Sequence, residues 1–259
     1  MRLALANTAY RRLAPTFNLL RRSIFTSRIM SAPAVDDKDP AFYEKAEEYW
    51  ASVASSVDGM LGGFERLHTP DINDSKKFLV HLRKYKYLNG NERALDCGSG
   101  IGRVTKHLLL PAFKTVDMVD VTEGFIENSK AYVGDALNPR VGNRFVEGLQ
   151  TFEPADRLYD MIWVQWVAGH LNDEDFVSFF ERCQRGIKAD GVIVLKENLS
   201  KEKREFDEQD SSWTRPQTEI LALFEKAGLD VVANQKQKFF PLDMYEVRMF
   251  ALKPKPPST

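Results

Sequence analysis

Cysteine is scarce: Cys97 and Cys183 are the only two in 259 residues. Two thiols do not make a disulfide scaffold, and neither sits at a metal-ligand spacing with histidine or a second cysteine. No apolar run approaches the roughly 20 residues that a membrane-spanning helix needs. Neither sign of charge dominates, since the formal net charge is −1. Bulk attraction to nucleic acid or to an anionic membrane is therefore not expected. These absences argue against a stapled secreted domain, a membrane protein, a metal site and a polybasic nucleic-acid binder, and suit a domain in a reducing compartment.

Acids are missing locally as well. No Asp or Glu precedes Asp36, whereas Arg2, Arg11, Arg12, Arg21, Arg22 and Arg28 are basic, and Leu13, Phe17, Leu20, Ile24 and Phe25 would share one face if the stretch were helical. An Arg-rich, acid-poor, amphipathic head is the signature of an organelle transit peptide. Residues 1–35 are therefore expected to be a targeting leader, mitochondrial or plastid, with a dispensable disordered tail as the alternative. Met30, before Ser31-Ala32-Pro33, offers a second start.

What is present fits one α/β domain with extensions: 43% of residues are apolar, enough for a sizeable core. Residues 36–92 read as a helical extension, with helices over 42–52 and 72–87. The stretch Val57-Asp58-Gly59-Met60-Leu61-Gly62-Gly63-Phe64 between them mixes glycine hinges with apolar residues and reads as a lid loop. Strand candidates follow at 94–97, 116–121, 143–147, 159–166, 191–197, 229–237 and 245–252. Helices at 103–110, 124–133, 174–187 and 216–227 separate most of them. This alternation predicts a mostly parallel sheet covered on both faces over 93–254. The last two strands have only a short linker with Pro241 between them, too short for a crossover helix, so they are expected to pair antiparallel. Residues 255–259 read as a tail.

The most informative segment is Ala94-Leu95-Asp96-Cys97-Gly98-Ser99-Gly100-Ile101-Gly102-Arg103. A short apolar strand ends in an acid and three alternating glycines before a helix opens. Glycine lets a ligand approach the backbone closely. About 20 residues beyond the glycines a second strand ends in Asp120, a spacing that suits a carboxylate gripping ribose hydroxyls. The spacing G-x-G-x-G, rather than G-x-G-x-x-G, favours an adenosylmethionine site over a dinucleotide site.

These features resemble a class I S-adenosylmethionine-dependent methyltransferase with a Rossmann-like, seven-stranded, mostly parallel sheet, a C-terminal antiparallel hairpin and an N-terminal helical extension. More narrowly, Asp96–Arg103, Asp117–Glu123, Ile162-Trp163-Val164-Gln165-Trp166 with Gly169-His170-Leu171, Asp210-Ser211-Ser212 and the upstream Asp58–Gly63 are similar to the α-N-terminal protein methyltransferases. The resemblance covers roughly residues 42–253. It implies methyl transfer from S-adenosyl-L-methionine to the free α-amine of proteins that begin Xaa-Pro-Lys after removal of the initiator Met, giving mono-, di- or trimethylated ends. Ribosomal or chromatin proteins are the implied partners, and cytoplasm and nucleus the implied compartments.

The same resemblance assigns residues. Gly98 and Arg103 would hold the methionine end, with loop amides helping at its carboxylate. Asp120 would take the ribose, with Thr122 beside it, Leu149 and Gln150 the adenine, and Gln165 would close the pocket. Asp210 and His170 match the general bases, and Asn198 a residue that holds the substrate N-terminus. Asp207 would meet the substrate lysine, with Ser212 adding a hydrogen bond. Trp166 would face the proline, and Trp50, Leu61 and Tyr245 would line the channel. Glu197, where aspartate is expected, and Trp213, where a smaller residue is usual, depart from the pattern without removing a catalytic group. Two alternatives stay open: a class I methyltransferase for a small-molecule amine, and a catalytically silent binding module. Nucleic-acid methylation is disfavoured, because no Asn-Pro-Pro-Tyr-type motif follows the fourth strand.

Overall fold

The computed structural model describes residues 36–256. The expected leader at 1–35 lies outside the described residues, as does the end of the expected tail. Helices α1 (Ala41–Ser52), α2 (Val57–Met60) and α3 (His68–Lys84) build the N-terminal extension. The stretch 57–64, expected as a greasy loop, is a capped helical turn packed inward. Ser56 Oγ accepts the Gly59 N–H at 3.0 Å, and Leu61 and Phe64 are buried.

Seven strands form one sheet: β1 (Arg93–Cys97), β2 (Thr115–Asp120), β3 (Val141–Val146), β4 (Tyr159–Gln165), β5 (Ile187–Leu199), and two further strands, β8 (Leu229–Lys236) and β9 (Glu246–Pro254). Their order is β3-β2-β1-β4-β5-β9-β8. The first five run parallel, while β9 is antiparallel to both β5 and β8, the hairpin expected from the short linker. Between them the short strands β6 (Glu205–Asp207) and β7 (Ser212–Thr214) pair as a separate antiparallel ribbon. The charged run 201–210 alone reads as a solvated loop, so that ribbon is new.

Strand side chains alternate between two apolar layers. Leu95, Ile162, Val164, Ile193 and Leu195 pack toward α5 (Asp173–Gly186) and α6 (Gln217–Lys226), where Phe176, Phe179, Phe180 and Phe224 cluster. Ala94, Met161, Trp163, Val192 and Val194 pack toward α3, α4 (Glu123–Val133) and the π-helical turn Thr105–Leu109. Full burial of each such Phe or Leu is worth about 1.5–3 kcal/mol. Strand order reverses between β1 and β4, and in open α/β sheets ligands bind beyond the strand ends at that switch point.

Candidate active site

The glycine loop sits at that switch. Gly98 and Gly100 have φ of 66° and 52°, a left-handed backbone that side-chain-bearing residues rarely adopt. A Cβ on Gly98 would stand 2.5 Å from the Val167 side chain, and one on Gly100 2.4 Å from the Met60 sulfur. Asp120 fixes the loop from β2: its Oδ2 accepts the Gly100 N–H at 2.8 Å and its Oδ1 the Thr122 N–H at 2.9 Å. Burial pushes the Asp120 carboxyl up, and these amides oppose the shift.

The loop differs from the expected anion nest. The amides of Gly98 and Ser99 donate to the Val119 carbonyl, that of Gly102 to Ser99, and that of Gly100 to Asp120. Four loop amides are thus engaged within the protein, because the tight turn needs them to close onto β2. Positive charge at this wall comes from Arg103 instead. Arg103 lines the cleft; its guanidinium donates from Nη1 to Asp71 Oδ2 at 2.6 Å and lies 5.6 Å from the Trp166 ring centre. Gln165 is also held by the protein: Trp163 Nε1 donates to its Oε1 at 2.9 Å, and its Nε2 donates to Asp71 at 3.0 Å.

Two cavities meet here. The first is an open cleft of about 1180 Å³, part of it continuous with solvent, between the extension and the strand ends. Gly98, Arg103, Asp120, Leu149, Gln150 and Gln165 all line it, as the resemblance implies for a cofactor, whereas Thr122 does not. Thr122 supplies its amide to Asp120 instead. Trp50 and Leu61, assigned to the substrate channel, line this first cavity too, because α1 and the turn after α2 close over it. The second cavity, of about 850 Å³, gathers Asn198, Asp207, Asp210, Ser212 and Tyr245 with Glu197, Glu205 and Glu208. Trp166 and His170 belong to the walls of both.

The second cavity is acidic. The β6–β7 ribbon carries Asp207 and Ser212, and its turn folds Asp210 inward to 3% exposure. Ser212 Oγ donates to Asp210 Oδ1 at 2.7 Å. Burial raises the Asp210 carboxyl above the usual range; His170 and the Ser212 hydroxyl pull it back, and the Asp207 charge adds to the rise. His170 is fixed by Trp50, whose Nε1 donates to its Nε2 at 3.0 Å, and its Nδ1 lies 3.4 Å from the Ser211 carbonyl. Ser211 and Trp166 are both held at φ 54°, so backbone strain flanks the junction of the cavities. Tyr245 donates to Glu205 Oε2 at 2.8 Å.

Several residues here have a place in the site that the sequence did not assign to them. Tyr49 on α1 senses both Asp207 and Asp210, whose charges add to burial in raising its hydroxyl. Asp96 lines the first cavity and accepts from Thr105 Oγ1 at 2.6 Å, with its carboxyl pushed up to about 7 by burial. Asp71 and Lys196 are fully buried and paired at 2.5 Å. The one clue to Asp71 is that Asp71, Ser75, Phe78 and Leu82 follow one helical stripe, which places an acid on an otherwise core-facing side. The departing Trp213 has a clear place: it packs against Phe206 at 4.8 Å between ring centres and donates to Asp37 Oδ2 at 3.0 Å.

The sheet order, the glycine loop over β1 and the carboxylate ending β2 define a Rossmann-like S-adenosylmethionine-dependent methyltransferase. A solved structure of such an enzyme from Leishmania major superposes with a TM-score of 0.78 at 37% identity, over 85% of this chain and 87% of that one. The family model described as AdoMet-dependent proline di-methyltransferase matches residues 38–253. The chain belongs to this family. Among its relatives, the alpha N-terminal protein methyltransferase 1 of Caenorhabditis elegans is 55% identical over 213 residues, 82% of this chain and 90% of that one. The N-terminal Xaa-Pro-Lys N-methyltransferase 1-B of Xenopus laevis is 48% identical over 225 residues, 86% of this chain and all of that one. The first cavity suits S-adenosylmethionine on its own features: the Asp120 carboxylate at the end of β2, Arg103 on its wall, and a buried Ser99 hydroxyl without a partner among the described residues.

Proposed function

We propose that this chain transfers methyl groups from S-adenosylmethionine to the free α-amine of proteins that begin Xaa-Pro-Lys. The observation that carries this reading is the pair of cavities meeting at Trp166 and His170, one with a nucleotide-type carboxylate and the other lined with acids. An acidic channel suits a chain end that bears both an α-ammonium and a lysine. A small neutral amine has no use for Asp207 or the ribbon that presents it. Ribosomal and chromatin proteins with such starts are the proposed acceptors, and cytoplasm and nucleus the proposed compartments.

When bound, S-adenosylmethionine supplies a methyl group on a sulfonium, already electrophilic. The task left to the protein is to present a neutral, aligned and dry amine. An α-amine titrates near ~8, so its deprotonation at neutral pH costs only about 1 kcal/mol. Positioning and exclusion of water carry most of the acceleration. In this reading Asp210 takes the ammonium proton, its raised carboxyl being a better base than an ordinary aspartate. Asn198 holds the chain end, Trp166 faces the proline, and Asp207 pairs with the lysine. After each transfer up to the dimethyl stage the amine is protonated again, and Asp210 removes that proton before the next.

The test is mass spectrometry of Ser-Pro-Lys and Ala-Pro-Lys peptides incubated with the protein and S-adenosylmethionine, beside N-acetylated copies. Methyl addition to the free-ended peptides alone is expected. No addition, with cofactor binding intact, would move the reading to a small-molecule amine.

A further inference from the structure

Asp71 joins three elements through one carboxylate. It lies on α3, in the extension, and is fully buried. Its Oδ2 accepts from Arg103 Nη1 at 2.6 Å, its Oδ1 accepts from Lys196 Nζ at 2.5 Å, and Gln165 Nε2 donates to the same group at 3.0 and 3.2 Å. Arg103 follows the glycine loop and Gln165 ends β4, both on the wall of the first cavity, while Lys196 lies in β5, outside that lining.

One carboxylate contacts both cations at this point, and the buried Asp74 adds its charge toward Lys196. Lys196 fills its remaining positions with neutral acceptors, the Ser75 hydroxyl at 2.9 Å and the Gln237 carbonyl oxygen at 2.6 Å. Arg103 has a single-nitrogen contact with Asp71, not the two-pronged pairing a guanidinium makes with a carboxylate of its own. The Trp166 ring lies 5.6 Å from the Arg103 head and 5.9 Å from the Lys196 head, which limits the room either has to swing. A cationic group held from behind by an acid, at the edge of a cavity, is arranged to receive a second anion in front.

We propose that Asp71 is the positioning residue for the cofactor's amino-acid end: it fixes the Arg103 guanidinium at the cleft wall so that the cofactor's carboxylate completes the pairing. This rests on the reading that the first cavity takes the methionine end of S-adenosylmethionine beside Arg103. It also ties cofactor binding to the docking of α3, since the same carboxylate holds the extension to β4 and β5. A purely structural role for Asp71, neutralising Lys196, makes a different prediction.

The test is titration calorimetry with two ligands: S-adenosylhomocysteine, and methylthioadenosine, which keeps the nucleoside and sulfur but lacks the amino-acid end. The wild-type protein is expected to prefer S-adenosylhomocysteine. Asp71→Asn should weaken S-adenosylhomocysteine by about tenfold while changing methylthioadenosine less than about twofold. Should Asp71→Asn fail to fold, the double variant Asp71→Asn with Lys196→Met carries the test. It removes both members of the buried pair and leaves Arg103 beside the open cleft. The selective loss should persist in it. Equal weakening of both ligands, or recovery of S-adenosylhomocysteine affinity in the double variant, overturns the proposal in favour of mere charge neutralisation. A wild-type protein that does not distinguish the two ligands overturns the Arg103 reading and this inference with it. Neither result touches the peptide assay, which stands or falls separately.

Discussion

Trp50 Nε1 donates to His170 Nε2 at 3.0 Å, and this contact fixes which nitrogen of the ring carries the proton. A nitrogen that accepts from an indole N–H has its lone pair engaged. The proton then sits on Nδ1, which faces the Ser211 carbonyl at 3.4 Å. To take a proton from the substrate directly, His170 must first release Trp50. Asp210 accepts from the Ser212 hydroxyl at Oδ1, and a carboxylate that accepts one such bond keeps further lone pairs for a proton.

Asp210→Asn is therefore expected to lower turnover by about a hundredfold or more, the usual range for a positioned base. His170→Gln should cost less. Calorimetry with S-adenosylhomocysteine should give near-normal affinity for Asp210→Asn. Loss of cofactor binding in that variant would mean that the ribbon belongs to the first cavity.

Asp207 faces the second cavity beside other acids. Replacing it with lysine puts like charge against the substrate lysine. Asp207→Lys should raise the KM for Xaa-Pro-Lys peptides by about tenfold, since rim charge pairs act chiefly on encounter and specificity. Unchanged kinetics on these peptides would remove Asp207 from the site.

Gly98 has φ 66° and no room for a Cβ beside Val167. Gly98→Ala should destabilise the fold by about 1–2 kcal/mol from the backbone alone. The displaced Val167 borders the first cavity, so cofactor affinity should fall as well. A variant with wild-type melting and wild-type affinity would show that the loop tolerates a side chain there.

Glu197 predicts a pH dependence of stability. Burial pushes its carboxyl from 4.5 up to about 7, against the amides of Asn198, Ala168 and Gly169 and the Arg215 charge. A carboxyl raised in the folded state binds its proton more tightly than in the unfolded chain. Its contribution is therefore fully present below about pH 4.5 and is lost as pH rises through about 7. A rise of that size corresponds to about 3 kcal/mol. Glu197→Gln should flatten the fall of the melting temperature between pH 5 and pH 8, although Asp96, raised to about 7, keeps part of the slope. A slope as steep as the wild type's would count against this account.

Much of the site was legible along the chain because its signals are local. Apolar runs ending in Asp96 and Asp120, and glycines where a left-handed turn is needed, are short-range features, and the structure finds the sheet strands within a few residues of their expected places. The run 201–210 was not legible in this way. Its composition reads as solvated, yet pairing across β6 and β7 turns Asp210 inward, with Phe206 packed against Trp213 and Asp37 accepting from Trp213 from the N-terminal side.

The sequence by itself determined the alternating fold and the cofactor loop, because periodicity and turn chemistry act between near neighbours, and its resemblance to a known family implied most of the groups facing the two cavities. Only the tertiary structure decided how those groups are loaded. It turned the loop amides onto the protein, engaged the His170 ring with Trp50, and placed Asp71 between Arg103 and Lys196, partners 32 and 125 residues away in sequence. Burial and ion pairing are set by what packs around a side chain, and distant segments meet only once the sheet and its covering helices have closed.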